Sequence, residues 1–384
     1  MQELAERLTR EFRSRFHDDP LLFSAPGRIN LIGEHVDYND GFVLPGAIDK
    51  QMMFALAPGR SDVSQVYSLD MAEGLEFSAN TLSPGHHWIN YFMGVVAGFQ
   101  ERGVAVPAVN IVFGSSIPTG AGLSSSAALC CGFALALNQL TNAGLAKIDL
   151  AYIAQYSEHR FAGVMCGLMD QYAVLFGETG SLLLLDCRSM THTEVALPPA
   201  AGTLMLVDSK VKHSLASSAY NNRRDACMEG VDVLRRTLPS IQSLRDVTPV
   251  QLEENKSKLS DEVYKRCRFV VAEIGRTKAA CKAIQSQNWE MLGKLIYASH
   301  EGLSKEFQVS CDELDLLVRV AGQHPECVIG SRMMGGGFGG CTINLVRTGQ
   351  EKSFQEFISK EYFTSFNTMP AFYSVKLSQG AHKI

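Results

Sequence analysis

An eleven-residue apolar run, AALCCGFALAL at 127–137, constrains this chain more than any other feature. It is too short to cross a bilayer, which needs about 18–20 apolar residues. A helix that is apolar all round must therefore lie inside the core, with the rest of the chain wrapped over it. The turn that feeds it, PTGAGLSSSA, begins at Pro118. Its glycines let backbone approach a ligand closely. Its serines open the helix, where free N–H groups and the positive end of the dipole favour an anion. A serine hydroxyl there is also a ligand type for Mg²⁺. The plainer reading is an ordinary serine N-cap after a tight turn.

Whether the chain can wrap such a helix is a matter of size. Its 384 residues fit two domains, and 46% hydrophobic with 20% charged residues is a globular composition. The 35 Lys+Arg against 40 Asp+Glu give a net charge of −5, which argues against a nucleic-acid partner but not against a single-phosphate site. No stretch reaches membrane-spanning length, so no membrane partner is expected. The first sixteen residues predict an amphipathic helix with Leu4, Leu8, Phe12 and Phe16 on one face. Glu3, Glu6 and Glu11 argue against a transit peptide, and an apolar signal core is missing. Ten cysteines without a CxxC then read as reduced, mostly buried thiols of a cytoplasmic protein.

Helical and strand-like patterns alternate along the chain, which predicts mixed α and β structure. Leu21 to Lys50 reads as strand and turn, and Val109 to Phe113 as a strand. Helices are expected from about Ser124 to Gln139, from Leu150 to Phe161 with Asp149 as N-cap, and from Met169 to Phe176. A short apolar strand, Ser181 to Leu185, is followed by polar residues and prolines. Domains of 1–185 and 186–384 are therefore expected. Long charged helices should fill the region between Asn221 and Leu303, before closing strands and the glycine run Gly335 to Gly340.

Two further segments carry chemistry. Pro26 to Tyr38, PGRINLIGEHVDY, holds an arginine, two carboxylates, a histidine and a tyrosine. Hydroxyls donate and accept, so Glu34, His35 and Asp37 suit a polyol, while Arg28 can offset developing negative charge. A polar turn with a structural ion pair is the alternative. The second segment, MMGGGFGGC at Met333 to Cys341, formally matches GxGxxG. Too little chain follows it for a dinucleotide-binding half, so a glycine turn packed on backbone or ligand fits better. Walker, protein-kinase and HExxH signatures are absent.

Together these segments resemble the galactokinases, members of the GHMP small-molecule kinases. GRINLIGEHVDYNDGFVLP resembles the galactokinase signature, PTGAGLSSSA the superfamily's phosphate loop and RMMGGGFGGC its third motif. CGLMDQY and SLASSAYNNRR are also similar to galactokinase segments, and the order is the family's. The resemblance implies an α+β, two-domain GHMP kinase fold, with mixed sheets, packed helices and an active site in the cleft between domains. It implies transfer of the γ-phosphoryl group of ATP to the anomeric hydroxyl of α-D-galactose, the entry step of galactose use. Asp170 matches the catalytic aspartate and Arg28 its arginine partner. Glu34, His35, Val36, Asp37, Gly167 and Tyr220 match sugar-binding positions. Gly120, Ala121, Gly122, Leu123, Ser124, Ser125 and Ser126 match the ATP phosphate loop, and Ser68 more weakly a nucleotide contact. Ser126 and Glu158 match Mg²⁺ ligands. Met334 stands where the third motif commonly has Thr. His159 and His213 match no role.

The partners so implied are D-galactose and ATP, handled by a monomer. A related sugar kinase for N-acetylgalactosamine or L-arabinose is the nearest alternative, and the uninterrupted Asp37 to Pro45 segment favours galactose over it. A non-catalytic galactose and ATP sensor is the alternative of another class. The intact serine loop and Asp170 favour an enzyme.

Overall fold

Strand pairing in the first half is organised around the apolar helix. The computed structural model describes residues 2–85, 87–118, 120–211 and 216–384. Thr119 of the serine loop, and His213 to Leu215 ahead of Tyr220, lie outside the described residues. Helix α1 (Gln2–Phe16) buries Leu8 and Phe12, as its periodicity predicts. Then come β1 (Leu21–Asn30), β2 (Phe42–Val43), β3 (Pro45–Pro58), β4 (Ser64–Ser68), β5 (Glu73–Phe77), α2 (Ile89–Gln100) and β6 (Val109–Ser115). Helix α3 (Ser125–Thr141) is the apolar run, with Ala127 to Ala134 all buried. Gly132 lets it seat on the sheet: a Cβ there would lie 2.3 Å from the Phe54 ring and 2.8 Å from the Ala25 Cβ.

Helix α4 (Lys147–Ser157) starts earlier than expected. Asp149 is not its N-cap but its third residue, and its carboxylate reaches back to the Ala146 amide at 3.2 Å. The helix ends in a π-turn, Glu158–Ala162, before α5 (Met169–Phe176). Next follow β7 (Ser181–Asp186), β8 (Thr191–Ala196), β9 (Thr203–Asp208), α6 (Ala216–Arg235), α7 (Pro249–Glu254), α8 (Asp261–Gln285) and α9 (Trp289–Glu301). The chain closes with α10 (Asp312–Gly322), β10 (Val328–Met333), β11 (Cys341–Val346), α11 (Glu351–Phe366), β12 (Ala371–Val375) and β13 (His382–Lys383).

These strands form three sheets, of order β13-β1-β3-β6-β4-β5, β2-β7-β8 and β10-β11-β9-β12. The expected α+β class is therefore observed. The expected division at 185/186 falls inside a strand. It would cut β7 before its last residue, and β7 pairs with β8 from Ser181↔Ala196 to Asp186↔Thr191. The C-terminal segment also returns to the first sheet. β13 pairs with β1, while the amides of Gly380 and Ala381 donate to the carbonyls of Gly177 and Val174 at 2.7 Å, at the end of α5. No disulfide forms among the ten cysteines, and among the described residues no helix is long and apolar enough to cross a membrane.

Candidate active site

A register shift in β1 begins the site. Pairing with β3 slips between Pro26 and Arg28, and such bulges re-aim side chains. The Arg28 amide then donates to the carbonyl of Leu123 at 3.1 Å, which ties β1 to the serine loop. The Arg28 side chain, 5% exposed, meets Asp170 in a two-pronged ion pair. Its Nε lies 2.8 Å from Oδ1 and its Nη2 2.7 Å from Oδ2. Its Nη1 donates to the Gly122 carbonyl at 2.6 Å. Burial opposes the Arg28 charge, but Asp170 outweighs it and the guanidinium pKa is raised. Asp170 sits in the first turn of α5 and caps nothing there.

The serine loop is shaped to expose backbone. Gly120, Gly122 and Ser124 have φ of 77°, 74° and 56°, the left-handed region where glycine is at ease. Ala121 and Leu123 tuck their side chains into the core. Ser124 precedes α3 but makes no side-chain cap; its hydroxyl donates to Asp170 Oδ2 instead. The plain N-cap reading of that serine is thereby set aside. The third motif packs on this loop, with a Cβ at Gly335 coming 3.5 Å from the Gly122 carbonyl and one at Gly340 3.7 Å from the Ala121 carbonyl carbon.

Between these loops lies a cavity of about 200 Å³. It is lined by Arg28, Asp170, Glu34, His35, Asp37, Gly167, Tyr220, Ser126 and Glu158, which the sequence singled out. Val164, Cys166, Met169, Gly335 and Gly336 complete it. Gly167 is required by closeness: a Cβ there would fall 2.0 Å from Asp37 Oδ2. Burial, then the neighbouring charges of Asp170 and Glu34, push the Asp37 carboxyl up to about 7. His35 Nε2 bonds the Gly336 carbonyl at 3.2 Å, so it carries the proton, and Nδ1 accepts from the Tyr38 hydroxyl at 2.8 Å. Burial holds this imidazole down at about 4, hence neutral. Its ring rests on Tyr220 and Phe307, centroids 5.0 and 4.8 Å away.

Val36, Ser68 and Met334 do not line the cavity. The Val36 side chain is fully buried, in the core cluster that also holds Met169 and Tyr172. Ser68 ends β4, is fully buried, and accepts from the Met71 amide at 3.3 Å, so its hydroxyl serves a turn. Met334 is 1% exposed in the main core, so no polar side chain works from that position. Sequence reasoning missed Arg332, whose Nη2 lies 3.0 Å from Glu34 Oε1. It also missed Cys166, whose thiol faces Glu158 at 3.5 Å. Both stand in quoted motifs or beside them, but their partners are remote in sequence or in role.

Glu158 is 6% exposed, and its Oε1 is buried without a hydrogen-bond partner. Burial, with Asp170 nearby, raises its carboxyl to about 7. An orphaned carboxylate oxygen beside the Ser126 hydroxyl is a donor set that suits a hard cation.

Comparison with known proteins bears on this arrangement. The galactokinase galactose-binding signature matches residues 10–58, the GHMP kinases N terminal domain 90–178 and the GHMP kinases C terminal domain 280–364. A galactokinase of Roseiflexus sp. (strain RS-1) is 36% identical over 383 residues, covering 100% of this chain and 97% of its own. The chain belongs to the galactokinase family. A galactokinase of Thermotoga maritima is 37% identical, with 94% of this chain and 99% of that protein covered. The crystal structure of Lactococcus lactis galactokinase complexed with galactose matches with a TM-score of 0.94 at 30% identity, over 99% of this chain and 100% of that one. Methanococcus jannaschii mevalonate kinase, at TM-score 0.61, 16% identity and coverages of 94% and 99%, shares the fold. The two-domain GHMP architecture follows.

Proposed function

We propose that this family member transfers the γ-phosphoryl group of ATP to the anomeric hydroxyl of α-D-galactose, giving galactose 1-phosphate and ADP. One observation carries the reading. The Arg28–Asp170 ion pair faces a cavity that also presents Glu34 and Asp37 on one side and the start of α3 on the other.

In this reading Glu34, Asp37 and Tyr220 hold sugar hydroxyls, and His35 and Gly167 shape the wall around them. The backbone of Gly120 to Ser126 cradles the phosphates at the positive end of α3. Asp170 orients the anomeric hydroxyl and takes its proton as the new O–P bond forms and the bond to the ADP oxygen breaks. Arg28 fixes that carboxylate and offsets charge on the transferring group. Phosphoryl transfer passes through a loose transition state, so positioning contributes more than basicity. Ser126 and Glu158 would hold Mg²⁺, which when bound neutralises charge on the phosphate oxygens. The halves are taken as residues 1–185 and 186–384, give or take the end of β7, with the cavity between them. We take the enzyme as a cytoplasmic monomer; the ten unpaired thiols agree with a reducing compartment, and the net charge of −5 agrees with no nucleic-acid partner.

A coupled ADP-release assay over galactose, glucose, N-acetylgalactosamine and L-arabinose tests the reading. Galactose should exceed glucose in kcat/KM by about tenfold to several hundredfold, because a buried carboxylate loses its hydroxyl partner when the 4-hydroxyl is inverted. Equal kcat/KM for the two hexoses would remove galactose as the preferred substrate.

A further inference from the structure

Arg332, at the end of β10, is 0% exposed, and Glu34 is its only carboxylate partner among the described residues. Its Nε donates to the Leu31 carbonyl at 2.8 Å and its Nη1 to its neighbour Met333's carbonyl at 2.5 Å. Its Nη2 serves the Asn30 carbonyl and Glu34 Oε1. The Gly335 amide reaches the same Oε1 at 2.8 Å. Two donors from the third motif thus converge on one oxygen of Glu34, which leaves Oε2 for a ligand in the cavity that Glu34 lines.

A buried ion pair of this kind is a poor source of stability, because desolvation offsets most of the Coulomb attraction. What the fork does supply is direction: a planar guanidinium fixes several acceptors at set angles, which an ammonium cannot. The strand end that carries it is itself held, since His300 Nδ1 accepts from the Met333 amide at 3.2 Å and His300 Nε2 lies 3.2 Å from Asp315.

We propose that Arg332 is a positioning residue of the sugar site: from the second half of the chain it fixes residues 30–34 and turns the free oxygen of Glu34 toward a sugar hydroxyl. The third motif then serves the sugar as well as the phosphate loop. This inference rests on the galactose-kinase reading above.

The test uses the full chain with R332M, R332K, E34Q and both double variants with E34Q, each checked for a cooperative melting transition. Galactose KM, ATP KM and kcat are measured separately. R332M should raise galactose KM by roughly tenfold to a hundredfold, the value of a hydrogen-bonded charged contact. ATP KM should stay within about threefold, and R332K should recover part of the loss. Adding E34Q to either Arg332 variant should worsen galactose KM little beyond E34Q alone, because both act through one carboxylate. If R332M does not fold, R332K and its double variant decide. Parallel losses for galactose and ATP, or additive effects in the cycle, would show a mere stitch between halves and overturn the proposal. A wild-type chain that melts cooperatively but ignores galactose would sink the underlying reading as well.

Discussion

On the side of the cavity proposed for the sugar, Glu34 receives Arg332 and Gly335, while His35 is held between Tyr38 and Gly336. On the side proposed for the phosphates, Glu158 keeps a buried oxygen with no partner, beside a loop that offers mainly backbone. The first wall is held in place by the protein alone, with Glu34 Oε2 left open to the cavity. On the proposed reading, the second is completed by a cation and phosphates. Preorganisation lowers the ordering cost of binding, so the sugar wall should bind without help and the phosphate wall should depend on metal.

The sharpest way to test that contrast is at Asp170, where the two walls meet. Asp170→Asn keeps shape and removes charge, so turnover should fall by about 10²–10⁴-fold while galactose binding by calorimetry persists. A variant holding more than about a tenth of wild-type turnover would take Asp170 out of the chemistry. Next in size is Glu158→Ala. Its half-saturating Mg²⁺ should rise by at least the roughly 10–100-fold that even outer-shell partners are worth, with galactose affinity unchanged. Superimposable Mg²⁺ titrations would erase the distinction between the walls. Gly167→Ala comes third. Its Cβ would collide with Asp37, so galactose KM should rise about tenfold while Mg²⁺ dependence holds, and an unaltered KM would show that the sugar wall yields.

The smallest effect is with pH. Asp37 titrates at about 7 because it is buried, with Asp170 and Glu34 adding to the shift. An acid whose folded pKa is raised binds its proton more tightly in the fold. Its stabilising share is therefore full below the ordinary carboxyl range, near pH 4, and is lost as pH rises through 7. A sugar hydroxyl donating to Asp37 favours the ionised form. Galactose affinity, measured without nucleotide or Mg²⁺, should then improve by up to about tenfold from pH 6 to 8, and Asp37→Asn should flatten the curve. A flat wild-type profile would exclude that contact.

Local patterning made much of the frame legible. The apolar run became α3, the four-residue spacing became α1, and Met169 to Phe176 became α5 with the expected bounds. Asp149 misled because an acid in a helix's first turn looks the same at the cap and at the third position. The site was legible only through resemblance where partners are remote. Arg28 and Asp170 lie 142 positions apart, and no spacing rule joins them. Arg332 and Glu34 lie 298 apart, and an arginine inside an apolar strand gives no sign of which carboxylate it meets. Val36 shows what position in a motif leaves open. It stands between two cavity residues, but Asp37 starts a 3₁₀ turn, and Val36 turns inward to the core.

The returning C-terminal segment bears on how the enzyme is made. Ribosomes deliver Arg28 and Asp170 early, but the first sheet lacks its outer strand until His382 and Lys383 emerge. Until then β1 presents an unpaired edge, the kind of template that invites wrong pairing. The end of α5, whose carbonyls at Val174 and Gly177 take the amides of Ala381 and Gly380, is equally unanchored. The two ends of α5 are thus held by different parts of the chain: Arg28 and Ser124 grip Asp170 at its start, and the returning segment ties down its far end.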